Sequence, residues 1–175
     1  MPHSTTTRTL RLDKNHDELL QHESKRGGMS VNALINKLIQ QYVDTLRYYE
    51  EGKMISMSTS TFKSVLDQLS QNEIENFAYG LGTQKANESL MRRGLETNYT
   101  NIVWYISLIL GEYNGWFRSD FLIGKDVDSL HLSHSQGVKW SYFIAQYISS
   151  ILREELGMQV NFMILENAVN YKITK

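Results

Sequence analysis

The sequence lacks cysteine, and it also lacks a basic excess and any long apolar run. Without cysteine there is no disulfide and no thiolate metal site, which agrees with a reducing cytoplasm. Lys and Arg number 18 against 19 Asp and Glu, so no global basic field attracts nucleic acid, and DNA contact would need a local surface. The longest apolar run, residues 102–110, is about half the length that spans a bilayer, and residues 1–6 carry no apolar signal-peptide core. We therefore expect a cytoplasmic protein that does not enter a membrane.

The first 50 residues contain three local patterns in close succession. Residues 7–12 alternate polar and apolar side chains, which predicts a short β-strand that must pair with another strand to be stable. A polar helix is predicted over residues 14–26, with Gly28 in the turn that ends it. Ser30 is a typical N-cap for a second helix with one apolar stripe, which we expect to reach about residue 50.

This order of strand, helix, glycine turn and serine-capped helix resembles the ribbon-helix-helix DNA-binding superfamily, the Arc, MetJ and CopG class. The resemblance covers about residues 7–46. It depends on the spacing of the strand end, the turn glycine, the next apolar residue and the cap, at Leu12, Gly28, Met29 and Ser30. Arg8 and His16 depart from the family pattern, which is often apolar at both positions.

The resemblance implies that two chains pair their strands into a ribbon that enters the major groove of double-stranded DNA. With Leu10 and Leu12 packed on the helices, the outward side chains are the predicted base-reading residues, Thr7, Thr9 and Arg11. The start of the second helix offers free N–H groups to a DNA phosphate. The predicted phosphate contacts are Ser30, Val31 and Asn32, with added charge from Lys25 and Arg26. The alternatives are the solvated face of an ordinary edge strand and a purely structural cap at Ser30.

A second domain is predicted over residues 53–175, after a first domain of residues 1–52. Helical patterns flank residues 80–82, which we interpret as a loop, and residues 100–110 are expected to form a buried helix. Further predictions are strands over 116–123 and 129–134, a long helix over 136–156, and a terminal hairpin of 159–165 and 168–173. The predicted fold class is α+β: a ribbon-helix-helix (β-α-α, intertwined dimer) followed by an α+β domain with a mainly antiparallel sheet.

The second domain offers a candidate ligand pocket at His131, His134 and Trp140, although an aromatic residue such as Trp140 is more often part of the core. No metal site is expected there, because strand residues three apart face opposite sides and no nearby cysteine or carboxylate completes a ligand set. Ser133 beside His134 is not a catalytic triad without a third partner. We therefore expect neither catalysis nor a cofactor.

Together these patterns predict a prokaryotic, homodimeric or tetrameric transcription regulator, such as a repressor. Its second domain would sense a small-molecule effector or build the oligomer. One alternative is the antitoxin of a toxin–antitoxin pair, whose toxin-neutralising segment is usually short and disordered when free, unlike residues 54–175. Another is a small-molecule or metal-binding protein that uses the N-terminal fold only to dimerise.

Overall fold

The computed structural model describes residues 6–52 and 56–174. The chain divides into two units, one ending at Arg47 and one beginning at Tyr48. The domain boundary predicted from the sequence, between residues 52 and 53, lies a few residues further along the chain. Residues 1–5 of the first predicted domain and residues 53–55 of the second lie outside the described part.

The first unit is helical. Helix α1 spans Lys14–Arg26, and helix α2 spans Val31–Gln41 and continues as a π-helical segment, Tyr42–Leu46. A short helix α3, Arg47–Gly52, begins at the boundary between the units and belongs mostly to the second. The Asp13 carboxylate caps α1 by accepting from the Asn15 N–H at 2.9 Å, and the Ser30 hydroxyl caps α2 by accepting from the Ala33 N–H at 3.2 Å. Both helix starts therefore lie where the sequence predicts them.

Residues 6–13 form no strand. The predicted strand over residues 7–12 is therefore wrong, and with it the ribbon-helix-helix fold class. A segment this short becomes a strand only by hydrogen bonding to a neighbouring strand, and the described part of the first unit contains only helices as regular structure. Leu10 and Leu12 are accordingly 58% and 43% exposed. The observed architecture is a set of N-terminal helices followed by a C-terminal four-stranded antiparallel sheet.

No apolar side chain in the described part of the first unit is buried. The more exposed ones are Leu10, Leu12, Leu19, Met29, Leu38, Ile39, Tyr42, Val43 and Leu46. Helices in proteins owe most of their stability to the packing of an apolar face. The described part of the first unit therefore has no buried apolar core of its own, in contrast to the second unit.

The second unit has a helical layer that is built around two packed helices. Its helices are α4 (Thr59–Leu66), α5 (Gln71–Arg92), α6 (Tyr99–Trp104) with a π-helical continuation Tyr105–Tyr113, and α7 (Val138–Ser150) with a π-helical continuation Ile151–Glu155. A capping box starts α5: Ser70 accepts from the Glu73 N–H, while the Glu73 carboxylate accepts from the Ser70 N–H at 2.8 Å. Helix α5 packs along α7.

The loop predicted at residues 80–82 is wrong, because α5 runs through it without a break. Gly82 is buried against α7, where an added Cβ would lie 2.2 Å from the Tyr147 carbonyl oxygen. The glycine at this position permits a close approach of two helices and does not end one.

The sheet consists of β1 (Arg118–Leu122), β2 (Val127–Ser133), β3 (Gln159–Leu165) and β4 (Ala168–Thr174), in the order β1-β2-β4-β3 with every pair antiparallel. Its apolar face packs on α7 and contributes Leu130, Leu132, Val160, Val169, Tyr171 and Ile173 to the core. The opposite face carries exposed side chains such as Ser129 and Lys172. No helix in the described ranges has the length and apolarity needed to cross a bilayer.

Candidate ligand-binding cleft

A cleft of about 860 Å³ opens at the end of the sheet where β1 begins and β2 ends. This volume lies within the range of roughly 300–1,000 Å³ that is typical of small-molecule sites. The lining comes from four segments of the second unit. They are the end of the π-helical segment after α6 (Ser107, Leu108, Gly111, Glu112), the turn (Gly115, Trp116, Phe117), the start of β1 (Arg118, Ser119) and the end of β2 with its following loop (Ser133, His134, Ser135, Gln136).

The turn between the π-helical segment and β1 forms one wall of the cleft. Gly115 has φ +67°, a left-handed conformation that glycine adopts without strain. The Trp116 N–H donates to the Leu110 carbonyl at 3.0 Å, which folds the turn back onto the helix end. Gly111 is buried beneath this turn, where an added Cβ would lie 3.4 Å from the Phe117 carbonyl oxygen. The left-handed backbone at Gly115 therefore shapes the turn, and Gly111 lies beneath it within ordinary contact distance of Phe117.

Pairing of β1 and β2 places Arg118 directly opposite Ser133. Side chains in such a pair point to the same face, with Cβ atoms about 4.5–5.5 Å apart. Arg118 is exposed, and its guanidinium makes no hydrogen bond or ion pair within residues 6–52 and 56–174. It is also the one cationic side chain of the cleft lining. An unpaired guanidinium beside a hydroxyl is therefore presented to the cleft.

His134 has a defined protonation state. Its Nδ1 accepts from the Gln136 N–H at 3.2 Å, so the ring proton is on Nε2, which donates to the Ser141 hydroxyl at 2.9 Å. That hydroxyl donates in turn to the Glu166 carbonyl at 3.3 Å. Burial lowers the pKa of His134 to about 4, so the ring is neutral at pH 7. Both ring nitrogens are therefore engaged in hydrogen bonds within the wall of the cleft.

The structure does not bring His131, His134 and Trp140 into one pocket. His134 lines the cleft. His131 lies on the exposed face of the sheet, in a depression of about 520 Å³, with its Nδ1 2.5 Å from the Asn170 Oδ1. Trp140 is 3% exposed and lines an aromatic cavity of about 360 Å³. Its Nε1 donates to the Trp116 carbonyl at 3.1 Å.

No three metal-binding side chains (His, Cys, Asp or Glu) gather at one point among the residues that the structure describes. Each of the two histidines already has a nitrogen engaged by a neighbouring side chain, Asn170 for His131 and Ser141 for His134. The two rings line different cavities. They therefore do not act together toward one ligand.

Sequence reasoning missed Arg118, Trp116 and the serines of the cleft. These residues come together only through the register of β1 with β2 and the return of the turn onto the helix. The two predicted strands over 116–123 and 129–134 were a usable signal, because a short connection between strands indicates a hairpin. Aligning the ends of that hairpin would have placed Arg118 near Ser133.

The residues predicted to contact DNA all lie in the first unit. Thr7, Thr9 and Arg11 are exposed and belong to no strand. The Ser30 hydroxyl is engaged in its cap, and Arg26 forms an ion pair with Glu23 at 2.8 Å. The remaining predicted phosphate contacts are exposed or half-buried at the end of α1 and the start of α2, at Lys25, Val31 and Asn32.

No protein-family model matches the chain, and no curated protein matches it. Among solved structures, a match is trafficking protein particle complex subunit 3 from Naegleria fowleri, covalently bound to palmitic acid. It is 9% identical, and the match covers 66% of this chain and 90% of that chain with a TM-score of 0.40. A likeness this weak carries no function to the present chain.

The structure corrects the prediction that the chain is a DNA-binding transcription regulator. The segment that was to read bases is not a strand, so the β-ribbon that the prediction required does not form in the described part of the first unit. Double-stranded DNA as a partner, the repressor role and the prokaryotic assignment are corrected with it. The intertwined homodimer or tetramer depended on paired strands, and the antitoxin and dimerising-protein alternatives depended on the same N-terminal fold, so they are corrected too.

Proposed function

We propose that the second unit binds a small organic molecule in the cleft at the end of the sheet, and that the chain is a ligand-binding protein without catalytic activity. The cleft itself is the observation that carries this proposal: about 860 Å³ with one unpaired guanidinium, several hydroxyls and an aromatic wall. Ligand sites usually combine an apolar lining with a few such polar groups.

The apolar part of the lining suits the body of an organic ligand. Leu108, Trp116 and Phe117 come from the helix end and the turn. Phe117 is buried, while Trp116 is half-buried and packs edge-on against Trp140, with ring centroids 6.0 Å apart. These contacts with the core hold the aromatic wall of the cleft in place. A preformed wall lowers the ordering cost of binding.

The state of His134 supports binding without catalysis. A general base needs an unprotonated nitrogen within reach of the substrate proton. Here Nδ1 accepts from the Gln136 N–H, and Nε2 carries a proton that is directed to Ser141. His134 would have to give up a bond of the cleft wall before it could accept a proton from a bound molecule.

Blocking the cleft with a matched control tests the proposal. Ser133→Trp places a large ring in the cleft, whereas Ser129→Trp places the same ring on the same strand and face but outside it. A library of small organic compounds would be screened against both variants and the parent chain by ligand-observed NMR. We expect compounds that bind the parent chain and the Ser129→Trp variant but not the Ser133→Trp variant. Compounds that bind all three proteins equally, or a parent chain without ligands, would contradict the proposal.

The cytoplasmic location expected from the sequence remains part of this proposal. Fractionation of host cells tests it. Recovery of the chain in a membrane or secreted fraction would contradict it.

A further inference from the structure

Building on the proposed function, we infer that the ligand of the cleft is an organic monocarboxylate, with its carboxylate on Arg118 and its apolar body against Trp116 and Phe117. The charge of the lining, its hydrogen-bonding groups and its size support this inference independently. Each of them excludes a different class of ligand.

The charge of the lining favours a single negative charge on the ligand. Arg118 is the cation of the lining and Glu112 is its one carboxylate. Since the ring of His134 is neutral at pH 7, it adds no second positive charge. A ligand with two negative charges would find one cation in the lining to pair with, which leaves its second charge without a partner there. A ligand with one negative charge satisfies the guanidinium.

The lining offers several hydrogen-bond donors to a ligand. Arg118 presents a planar fork that matches both oxygens of a carboxylate. Ser133 lies opposite Arg118 in register, within reach of the same group. The Ser135 oxygen already accepts from the Gln136 Nε2 at 3.3 Å, so its own O–H is left to donate. Ser107 and Ser119 add two further hydroxyls to the lining. These donors suit a ligand with acceptor oxygens.

The size of the cleft separates an organic acid from an inorganic anion. A volume of about 860 Å³ far exceeds the space that a sulfate or phosphate ion fills. The remainder of the space faces Leu108 and the aromatic wall, where an ion would gain nothing from apolar burial. An alkyl or aryl body would fill it.

Two isosteric pairs of probes test the carboxylate: benzoate with benzamide, and hexanoate with hexanamide. Members of a pair have nearly the same shape and differ in charge. Isothermal titration of the parent chain should show each carboxylate binding about 10-fold or more tightly than its amide, the ratio expected for a charged hydrogen bond. Arg118→Gln should bring the ratio close to one. The matched control is Lys172→Gln, which removes one positive charge from the same exposed face of the sheet but outside the cleft, and should keep the ratio.

The outcomes distinguish this inference from the proposed function. If the amides bind as tightly as the acids and Ser133→Trp abolishes both, the cleft binds small molecules but the monocarboxylate inference is overturned. If the acids keep their advantage in the Arg118→Gln variant, the role of Arg118 is overturned. If neither pair binds although the NMR screen finds ligands that Ser133→Trp excludes, the inference again fails and the proposed function stands.

Discussion

Replacing Gly82 with alanine should destabilise the second unit, whereas the same replacement at Gly80 should not. Both glycines lie within α5. Gly82 is buried, and an added Cβ would lie 2.2 Å from the Tyr147 carbonyl oxygen and 2.2 Å from the Ser150 hydroxyl on α7. Gly80 is exposed, and its added Cβ would meet no heavy atom within 4 Å. The two variants therefore differ in packing and not in chemistry.

The magnitude follows from these distances. Ser150 can rotate its hydroxyl away, but the Tyr147 carbonyl belongs to the backbone of α7 and cannot. Ordinary contact begins at 3.4 Å, so the two helices must separate by roughly 1 Å at this crossing. Overpacking of this kind costs about 1–3 kcal/mol, while a change from glycine to alanine inside a helix gains about 1 kcal/mol. We expect a net loss of up to ~2 kcal/mol for Gly82→Ala and a gain of up to ~1 kcal/mol for Gly80→Ala, so the two variants should differ by about 1–3 kcal/mol.

Urea unfolding followed by tryptophan fluorescence measures this difference in the second unit. The chain has 3 tryptophans, Trp104, Trp116 and Trp140, and all of them lie after residue 47. Thermal unfolding should show the same order, at about 2–4 °C per kcal/mol for a chain of this size. A Gly82→Ala variant as stable as Gly80→Ala would refute the close helix contact on which the reasoning depends.

The other predictions concern side chains that support the second unit. The Lys139 ammonium donates to three carbonyls at the end of α4, among them that of Leu69 at 2.7 Å; Lys139→Met should lower the free energy of unfolding by about 1–3 kcal/mol in urea titrations, and an unchanged midpoint would contradict the cap. The Tyr99 hydroxyl donates to the buried Asp128 carboxylate; Tyr99→Phe keeps the ring and should lose about 1.5–3 kcal/mol by calorimetry, whereas a variant that melts with the parent chain would rule this bond out as a support. Burial lowers the pKa of His134 from 6.5 to about 4, so between these pH values the unfolded chain binds a proton that the folded chain does not. The neutral ring of His134 contributes ~1–2 kcal/mol to the free energy of unfolding, after allowance for the solvent at this half-buried side chain. This contribution is complete above about pH 6.5 and is lost as the pH falls through 4. His134→Gln should flatten the dependence of stability on pH in this range, and an unchanged dependence would show that other groups cause it.

Local signals in the sequence were sufficient for several elements. The side chains of Asp13, Ser30 and Ser70 cap helices by hydrogen bonds to N–H groups at most three residues away, so a short window of sequence contains the whole interaction. The terminal hairpin of β3 and β4 was predictable for a similar reason, since two alternating segments are joined by a very short turn.

The candidate cleft was less predictable. The histidines at 131 and 134 drew attention because they are close in sequence, but β2 carries His131 on its exposed face and ends before His134. Trp140 faces the aromatic cavity instead. Arg118, which we place at the centre of ligand binding, stands in the sequence as an ordinary polar strand residue. Only its pairing with Ser133 in the register of β1 with β2 shows that Arg118 lines the cleft.

The sequence by itself determined where the caps lie and which segments can form helices and the terminal hairpin, because those interactions connect residues near in the chain. Tertiary structure decided whether a segment with the right pattern becomes a strand: residues 7–12 alternate correctly but have no neighbouring strand in the described first unit. It also decided that Gly82 is a contact point between α5 and α7 and not a loop. The register of β1 with β2 likewise brought Arg118 and Ser133 to one cleft. In each case the deciding hydrogen bond or contact comes from a residue distant in sequence, which no local pattern specifies.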